Sequence, residues 1–182
     1  MMKKFLKRII YRLRANYITE DLIKMGLIVG KNFHRMHDVI LDPSHCWLIE
    51  IGDDVTLAPR VHILAHDASL FNHLGYTRIG KVQIGNNVFV GADTVILPNV
   101  SVGDNSIIGA NSTVSKSIPS GVVAAGSPAK IICSIEEFIH KNEKLMQYRP
   151  KYDETFTLRE SINKNKKKLM FDELTKGYGY VK

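Results

Sequence analysis

Between residues 84 and 119 the apolar positions follow neither the three-and-four spacing of a helix nor the alternation of a plain strand; they recur every six residues. The stretch IGNNVFVGADTVILPNVSVGDNSIIGANSTVSKSIP divides into words led by Ile84, Val90, Ile96, Val102, Ile108 and Val114. The fifth positions of the same words are Val88, Thr94, Val100, Ser106, Ser112 and Ile118, all small or β-branched. A fixed six-residue period is a repeat and predicts a parallel β-helix. Six residues make one side, three sides make a coil of about eighteen residues, and coils stack about 4.8 Å apart as parallel ladders. The leading residues then form interior columns, and the fifth positions fill the tapering space beside them. Gly85-Asn86-Asn87 and Gly103-Asp104-Asn105 have the composition of corners, where positive φ must be tolerated.

The same word occurs upstream as Ile51 to Thr56 and Leu57 to His62, and begins again at Ile63. It breaks from His66 to about Tyr76, in HDASLFNHLGY, before Ile79-Gly80 and Ile84 restore it. An insertion in one coil emerges as a loop on one face, and such loops commonly carry function. A weaker echo, Val29-Gly30-Lys31-Asn32-Phe33, starts the prism near residue 27. The expected organisation is an all-β core, a β-helix over residues 27–133, between an N-terminal helical segment (1–26) and a C-terminal helix with a basic tail (134–182). In KKFLKRIIYRLRANYI, Phe5, Ile9, Leu13 and Tyr17 fall four apart with Leu6 and Ile10 beside them, while Lys and Arg take other positions. This basic amphipathic helix has two placements: peripheral contact with an anionic membrane surface, or packing on the prism or a neighbouring subunit, which is the simpler. Ser134 with Glu137 forms a capping box that predicts a helix through Leu145. The Lys-rich run at 163–169 reads as a solvated tail.

Composition narrows the class. A chain of 182 residues with 45% hydrophobic content can bury one substantial core. No apolar run approaches the roughly 20 residues that span a bilayer. The apolar letters after Lys3 and Lys4 are interrupted by Lys7, Arg8, Arg12 and Arg14, which is not a secretory signal, so a cytoplasmic protein is expected, with any membrane contact at the inner face. Cys46 and Cys133 are too few for a disulfide framework, and a small buried hydrophobe is a simpler reading of either than an acyl-carrying thiolate. The net charge of +7 is uneven: residues 27–133 hold seven Lys plus Arg against eight Asp plus Glu, so the excess lies in the flanks. A neutral body with few aromatic residues excludes nucleic acid as the expected partner. Five of the seven histidines, His37, His45, His62, His66 and His73, fall between residues 37 and 73, and with His34 just before them they concentrate in the early repeats and the interrupting loop.

The segment from Ile84 to Ile132, ending in AAGSPAKII, resembles the end of the hexapeptide-repeat acyltransferases, on the branch of the maltose and galactoside O-acetyltransferases. The upstream IEIGDDVTLAPRVHILAHDAS, residues 49–69, resembles the members of that branch found with surface-polysaccharide genes. Together the resemblance covers about residues 27–135. It implies a left-handed coil, against the usual crossover preference, a homotrimer with active sites between adjacent subunits, and acetyl-CoA as the donor lying along the groove. It places the catalytic histidine at His66, opening the irregular segment. Ala92 and Ala110 match positions that let the pantetheine lie close. Ser115 and Lys116 match the usual Thr-Lys at the cofactor's far end, and Lys130 replaces the commoner Arg, losing bidentate geometry toward phosphate. Asp42, His45, Asp67, His73 and Arg78 are candidates to line the acceptor pocket, with Asp67 alternatively orienting the imidazole or capping the loop.

The chemistry of the residue types agrees. A sugar hydroxyl needs a base within hydrogen-bond reach as it attacks a thioester, and neutral imidazole, with an ordinary pKa of about 6.5, serves and then returns the proton to the leaving thiolate. No metal is required. The expected function is O-acetyl transfer to a sugar or glycan hydroxyl in surface polysaccharide biosynthesis. Two rivals share the prism. A carbonic anhydrase-like enzyme needs three zinc-binding histidines, but no histidine lies between His73 and His140. A non-catalytic scaffold leaves the His-Asp loop and the Ser-Lys corner without a purpose.

Overall fold

A computed structural model describes residues 17–182. The amphipathic helix expected in residues 3–18 lies outside the described residues but for Tyr17 and Ile18. By its contacts the chain divides into two compact units, Met1–Ile135 and Glu136–Lys182.

The first unit is a parallel β-helix with three faces. The first face stacks Ile28–Val29, Ile49–Ile51, Val82–Ile84 and Val100–Val102. The second stacks His34–Arg35, Thr56–Leu57, Phe89–Val90, Ile107–Ile108 and Val122–Ala125. The third stacks Ile40–Leu41, His62–Ile63, Val95–Ile96 and Thr113–Val114. All these neighbours pair in parallel, and the register keeps repeat on repeat, with Leu57 beside Val90 and Val90 beside Ile108. The leading residues Ile84, Val90, Ile96, Val102, Ile108 and Val114 are all buried, as are the fifth-position residues from Val88 to Ile118. The polar members of that second set stay satisfied. Thr94 and Ser112 donate to the Gly109 carbonyl at 3.1 and 2.6 Å, and Ser106 donates to the Pro119 carbonyl at 3.0 Å.

Corners follow a division of labour. Asn87, Asn105, Asp93, Asn99 and Asn111 adopt left-handed backbone, with φ between 52° and 62°. The corner glycines Gly85 and Gly103 do not; they are required by close approach. A Cβ on Gly85 would lie 2.3 Å from Asp104 Oδ1, and one on Gly103 would lie 2.4 Å from Ser120 N. Side chains tie successive coils at the same corner: Asp53 Oδ1 accepts from Lys31 N at 2.7 Å, Asn86 Oδ1 from Asp53 N at 2.9 Å, and Asp104 Oδ1 from Asn86 N at 2.6 Å.

The coils differ in length, and the excess locates the site. Equivalent residues Asn86 and Asp104 stand 18 apart, Asn32 and Asp54 stand 22 apart, and Arg60 and Asp93 stand 33 apart. Both longer coils spend their extra residues at the corner between the third and first faces. In the earlier coil this is segment 42–48, with a 3-10 turn at Cys46–Leu48. In the next it is the loop after Ala65, where His66–Asp67 pairs antiparallel with Arg78–Ile79 around a short helix at Phe71–Leu74. The two insertions therefore stack on one another.

The helix Thr19–Lys24 buries Leu22 in the prism's core together with Leu27. At the other end Val122–Ala125 turns back antiparallel to Lys130–Ser134 and closes the ladder. No helix among the described residues is long and apolar enough to cross a membrane.

The second unit contains most of the helix Ile135–Met146, a second helix at Lys164–Glu173, and a parallel pair of Lys151–Tyr152 with Tyr180–Val181. The Lys-rich run is thus helical rather than a plain tail. Asn163 caps it by accepting from Lys166 N at 2.9 Å, and Lys168 pairs with Asp172 one turn on at 2.8 Å. Tyr152 is the buried residue of this unit and its hydroxyl donates to Glu173 Oε2 at 2.9 Å.

Candidate active site

The two stacked insertions bring together residues far apart in the chain. Leu41 lies beside Ile63 on the third face, so the segments that leave that face one coil apart, beginning at Asp42 and Ala65, run side by side. Asp42 has only 1% of its side chain exposed and is fixed from two directions. Its Oδ1 accepts from Ser44 N at 3.0 Å and its Oδ2 from Ala65 N at 2.9 Å. Its Oδ2 also takes a short contact from His66 Nδ1. An ionised carboxylate accepts only, so Nδ1 carries the hydrogen of this contact, and in the neutral ring the lone pair is then on Nε2. His66 is one-third exposed, so the ring has a buried, hydrogen-bonded side and an open one.

His45 lies beside this pair. Its ring centroid is 5.2 Å from that of His66 and 5.2 Å from that of Trp47. His45 Nδ1 is buried and has no hydrogen-bond partner among the described residues. Trp47, 52% exposed, extends the aromatic row outward.

Asp67 lies elsewhere. Its carboxylate pairs with Arg78 across the hairpin and accepts from Ser69 N at 2.9 Å. The Arg78 hydrogen bond, helped by Ser69, holds the Asp67 carboxyl down to about 2. Asp42, and not Asp67, is therefore the carboxylate against the His66 imidazole, while Asp67 and Arg78 close the base of the loop on each other. His73 is exposed on the helix Phe71–Leu74. Cys46 is buried, its Sγ 3.7 Å from the carbonyls of Leu22 and Met25; burial pushes its thiol up, away from thiolate chemistry.

The expected donor residues fall on two edges of the prism. Ala92 and Ala110 occupy the same position of successive coils at the corner between the second and third faces, where Asn111 N donates to the Ala92 carbonyl at 2.7 Å. Gly91 beneath Ala110 has no room for a side chain, since a Cβ there would lie 2.4 Å from Ala110 N. Ser115 and Lys116 sit on the His66 edge: Leu64 N bonds to Ile96 O and Leu97 N to Val114 O, which sets Lys116 two coils above Ala65, about 10 Å at the usual strand spacing. Lys130 is exposed on the closing strand Lys130–Ser134. Within one chain the third face separates the His66 edge from the Ala92–Ala110 edge.

Sequence reading missed Asp42 as the partner of His66 and missed Trp47. A signal existed, because ILDPSHCWLIE between Ile40 and Glu50 breaks the sixfold beat as plainly as the later loop does.

Comparison with known proteins places this architecture. The family described as Bacterial transferase hexapeptide (six repeats) matches residues 81–116. Protein CapG of Staphylococcus aureus is 38% identical over 139 residues, covering 73% of this chain and 81% of its own. A maltose O-acetyltransferase structure from Clostridium difficile 630 is 42% identical, with a TM-score of 0.53 over 60% of this chain and 59% of that one. A galactoside acetyltransferase solved in complex with coenzyme A is 36% identical, with a TM-score of 0.54 over 63% of this chain and 58% of that one. The chain spans less than two thirds of those two structures and most of CapG. It belongs to the hexapeptide-repeat acetyltransferases, and its prism is the left-handed β-helix of that family.

Proposed function

We propose that this chain transfers the acetyl group of acetyl-CoA to a hydroxyl of a sugar or glycan in surface polysaccharide biosynthesis, with His66 as general base and Asp42 as its positioning residue. The observation that carries the proposal is the His66 Nδ1–Asp42 Oδ2 contact, made by a carboxylate that is itself buried and held by Ser44 N and Ala65 N. That contact commits the Nδ1 proton and leaves Nε2 to act.

In the reaction, Nε2 takes the proton of the acceptor hydroxyl as its oxygen bonds to the thioester carbonyl carbon. The tetrahedral oxyanion then collapses, the C–S bond breaks, and the imidazolium returns the proton to the CoA thiolate. The Asp42 carboxylate favours the imidazolium that exists between these two transfers, as a buried acceptor does in other His-carboxylate pairs. Backbone N–H groups of a neighbouring coil are the proposed oxyanion donors.

The donor reading is supported by the coenzyme A complex of the galactoside acetyltransferase. We place the pantetheine along Ala92 and Ala110, with Ser115, Lys116 and Lys130 toward the phosphates. Because the third face separates His66 from Ala92 and Ala110 within a chain, a complete site takes its two edges from adjacent copies, and a homotrimer is the assembly we propose. His45, Trp47, His73 and the Asp67–Arg78 loop base flank the acceptor side. We place the enzyme in the cytoplasm, at the inner face of the membrane where a lipid-linked glycan would be presented.

The test is thiol release from acetyl-CoA across a panel of sugars, nucleotide sugars and glycan oligomers. Acceptor-dependent release, with the acetyl ester found on the acceptor by mass spectrometry, supports the reading. Absence of both release and acetyl-CoA binding contradicts it.

A further inference from the structure

The residues that position and form the base also make a set of metal ligands. Asp42, His45 and His66 each offer one ligand atom such that all three atoms lie within 4.8 Å of one another. His45 adds a second observation, since its Nδ1 is buried beside the pair with no hydrogen-bond partner among the described residues. A ring nitrogen left unpaired away from water is costly unless something binds it. One carboxylate oxygen with two imidazole nitrogens is a set that zinc accepts while keeping a fourth position open. It suits first-row transition ions of the later series far better than magnesium or calcium.

We propose that Asp42, His45 and His66 bind a divalent transition ion, zinc foremost, and that the bound ion switches transfer off by removing the base. The tautomer of His66 explains the inhibition. Without the ion, Nδ1–H donates to Asp42 and Nε2 has the free lone pair. An ion that bonds to Nδ1 displaces that hydrogen, and the ring stays neutral by carrying its proton on Nε2 instead. Nε2 then has no lone pair with which to take the acceptor's proton. An ion bonded to Nε2 occupies the lone pair directly. On either nitrogen, His66 neither gains nor loses a proton overall, and it ceases to be a base.

The surroundings suit such a site. Ser44 N and Ala65 N already hold the Asp42 carboxylate, the outer-shell support that metal-binding carboxylates usually have. Bonds of about 2.0–2.2 Å in a tetrahedral site bring ligand atoms to about 3.4 Å from one another. His45 and His66 both lie on insertions, outside the main ladders, so side-chain rotation can supply this contraction. Cys46 points to the Leu22 and Met25 carbonyls and leaves the fourth position to solvent or to a substrate oxygen.

Binding does not depend on the proposed function, whereas inhibition rests on His66 being the base, and one experiment separates them. The full chain, stripped with a chelator, is titrated with Co(II) and followed by visible ligand-field absorption, then with Zn(II) in competition. Thiol release from acetyl-CoA with an active acceptor is measured in parallel. One Co(II) per chain in a low-coordinate site is expected, displaced by Zn(II). Affinity should fall at least tenfold in His45→Phe, which keeps the ring against Trp47, and likewise in His66→Gln. Transfer should decline in step with Zn(II) occupancy, return on chelation, and be indifferent to equimolar Mg(II). Absorption no stronger than that of the aqueous ion, or affinity unchanged in both variants, overturns the site. Full occupancy with undiminished transfer overturns the switch, and with it His66 as base, while leaving the site.

Discussion

Asp42 and His66 stand 24 residues apart in sequence and in contact in space, the carboxylate buried and the imidazole one-third exposed. The contact exists because two consecutive coils carry insertions at the same corner, so residues leaving the third face in one coil lie under those leaving it in the next.

Asp42→Asn should reduce kcat by about 10²-fold or more, the scale of a misplaced general base, while the KM for acetyl-CoA holds. Asp42 Oδ1 accepts from Ser44 N, and Oδ2 accepts from Ala65 N and faces His66 Nδ1. An amide nitrogen at either position meets an N–H group, so no orientation of Asn reproduces the cradle. The check is a steady-state comparison over a range of pH. A kcat within about twofold of wild type would remove Asp42 from the mechanism.

The Asp67–Arg78 pair should anchor the loop over a defined acid range. The folded pKa of Asp67 is depressed to about 2, below an unfolded value of about 3.9. Its stabilisation is therefore complete above about pH 4 and is lost as the pH falls toward 2. Titration of the Asp67 carboxyl by NMR should give that low value in the wild type and a higher one in Arg78→Ala, because Arg78 is the largest cause of the depression. An unchanged titration would show that the pair does not form in solution.

Gly85→Ala should lower stability by about 1–3 kcal/mol, as overpacking typically does. The new Cβ would sit 2.3 Å from Asp104 Oδ1 and 2.8 Å from Asp104 N, inside the ladder that joins two coils. Gly75→Asn is the contrast: Gly75 has φ 71° and open space around it, and Asn tolerates that conformation, so stability should stay within about 0.5 kcal/mol. Denaturant unfolding of both variants tests the difference.

Lys116→Ala should raise the KM for acetyl-CoA about tenfold with kcat little changed, the loss of one charge-assisted contact to phosphate. An unchanged KM would move the phosphates away from the His66 edge.

The repeat was legible because solenoid packing imposes one rule on every coil. Ile84, Val90 and Ile96 lead their words and are buried for the same reason, so the pattern survives without knowledge of any contact. The break itself was legible because regular hexads flank it, whereas His66, which opens it, was singled out by the family resemblance. Asp42 was harder, because its break lies in the first coil, where the beat is weak and Arg35 stands at the leading position that Leu57 and Val90 hold in the next coils. No spacing rule pairs residues across coils of 22 and 33 residues; only the stacking does. The corner glycines were legible in place but not in cause, since Gly85 is set by its distance to Asp104 and Asn87 takes the positive φ. The helix Lys164–Glu173 was hidden by its charge, and its Asn163 cap is the local cue that identifies it.

The measurement that most directly tests the account is kcat for acetyl transfer by wild type and His66→Ala, with acetyl-CoA binding to both verified by calorimetry. Loss of a general base predicts a fall of about 10²–10⁴-fold at unchanged acetyl-CoA affinity. Near-wild-type turnover by His66→Ala would contradict it, and would separate the Asp42–His66 pair from the chemistry.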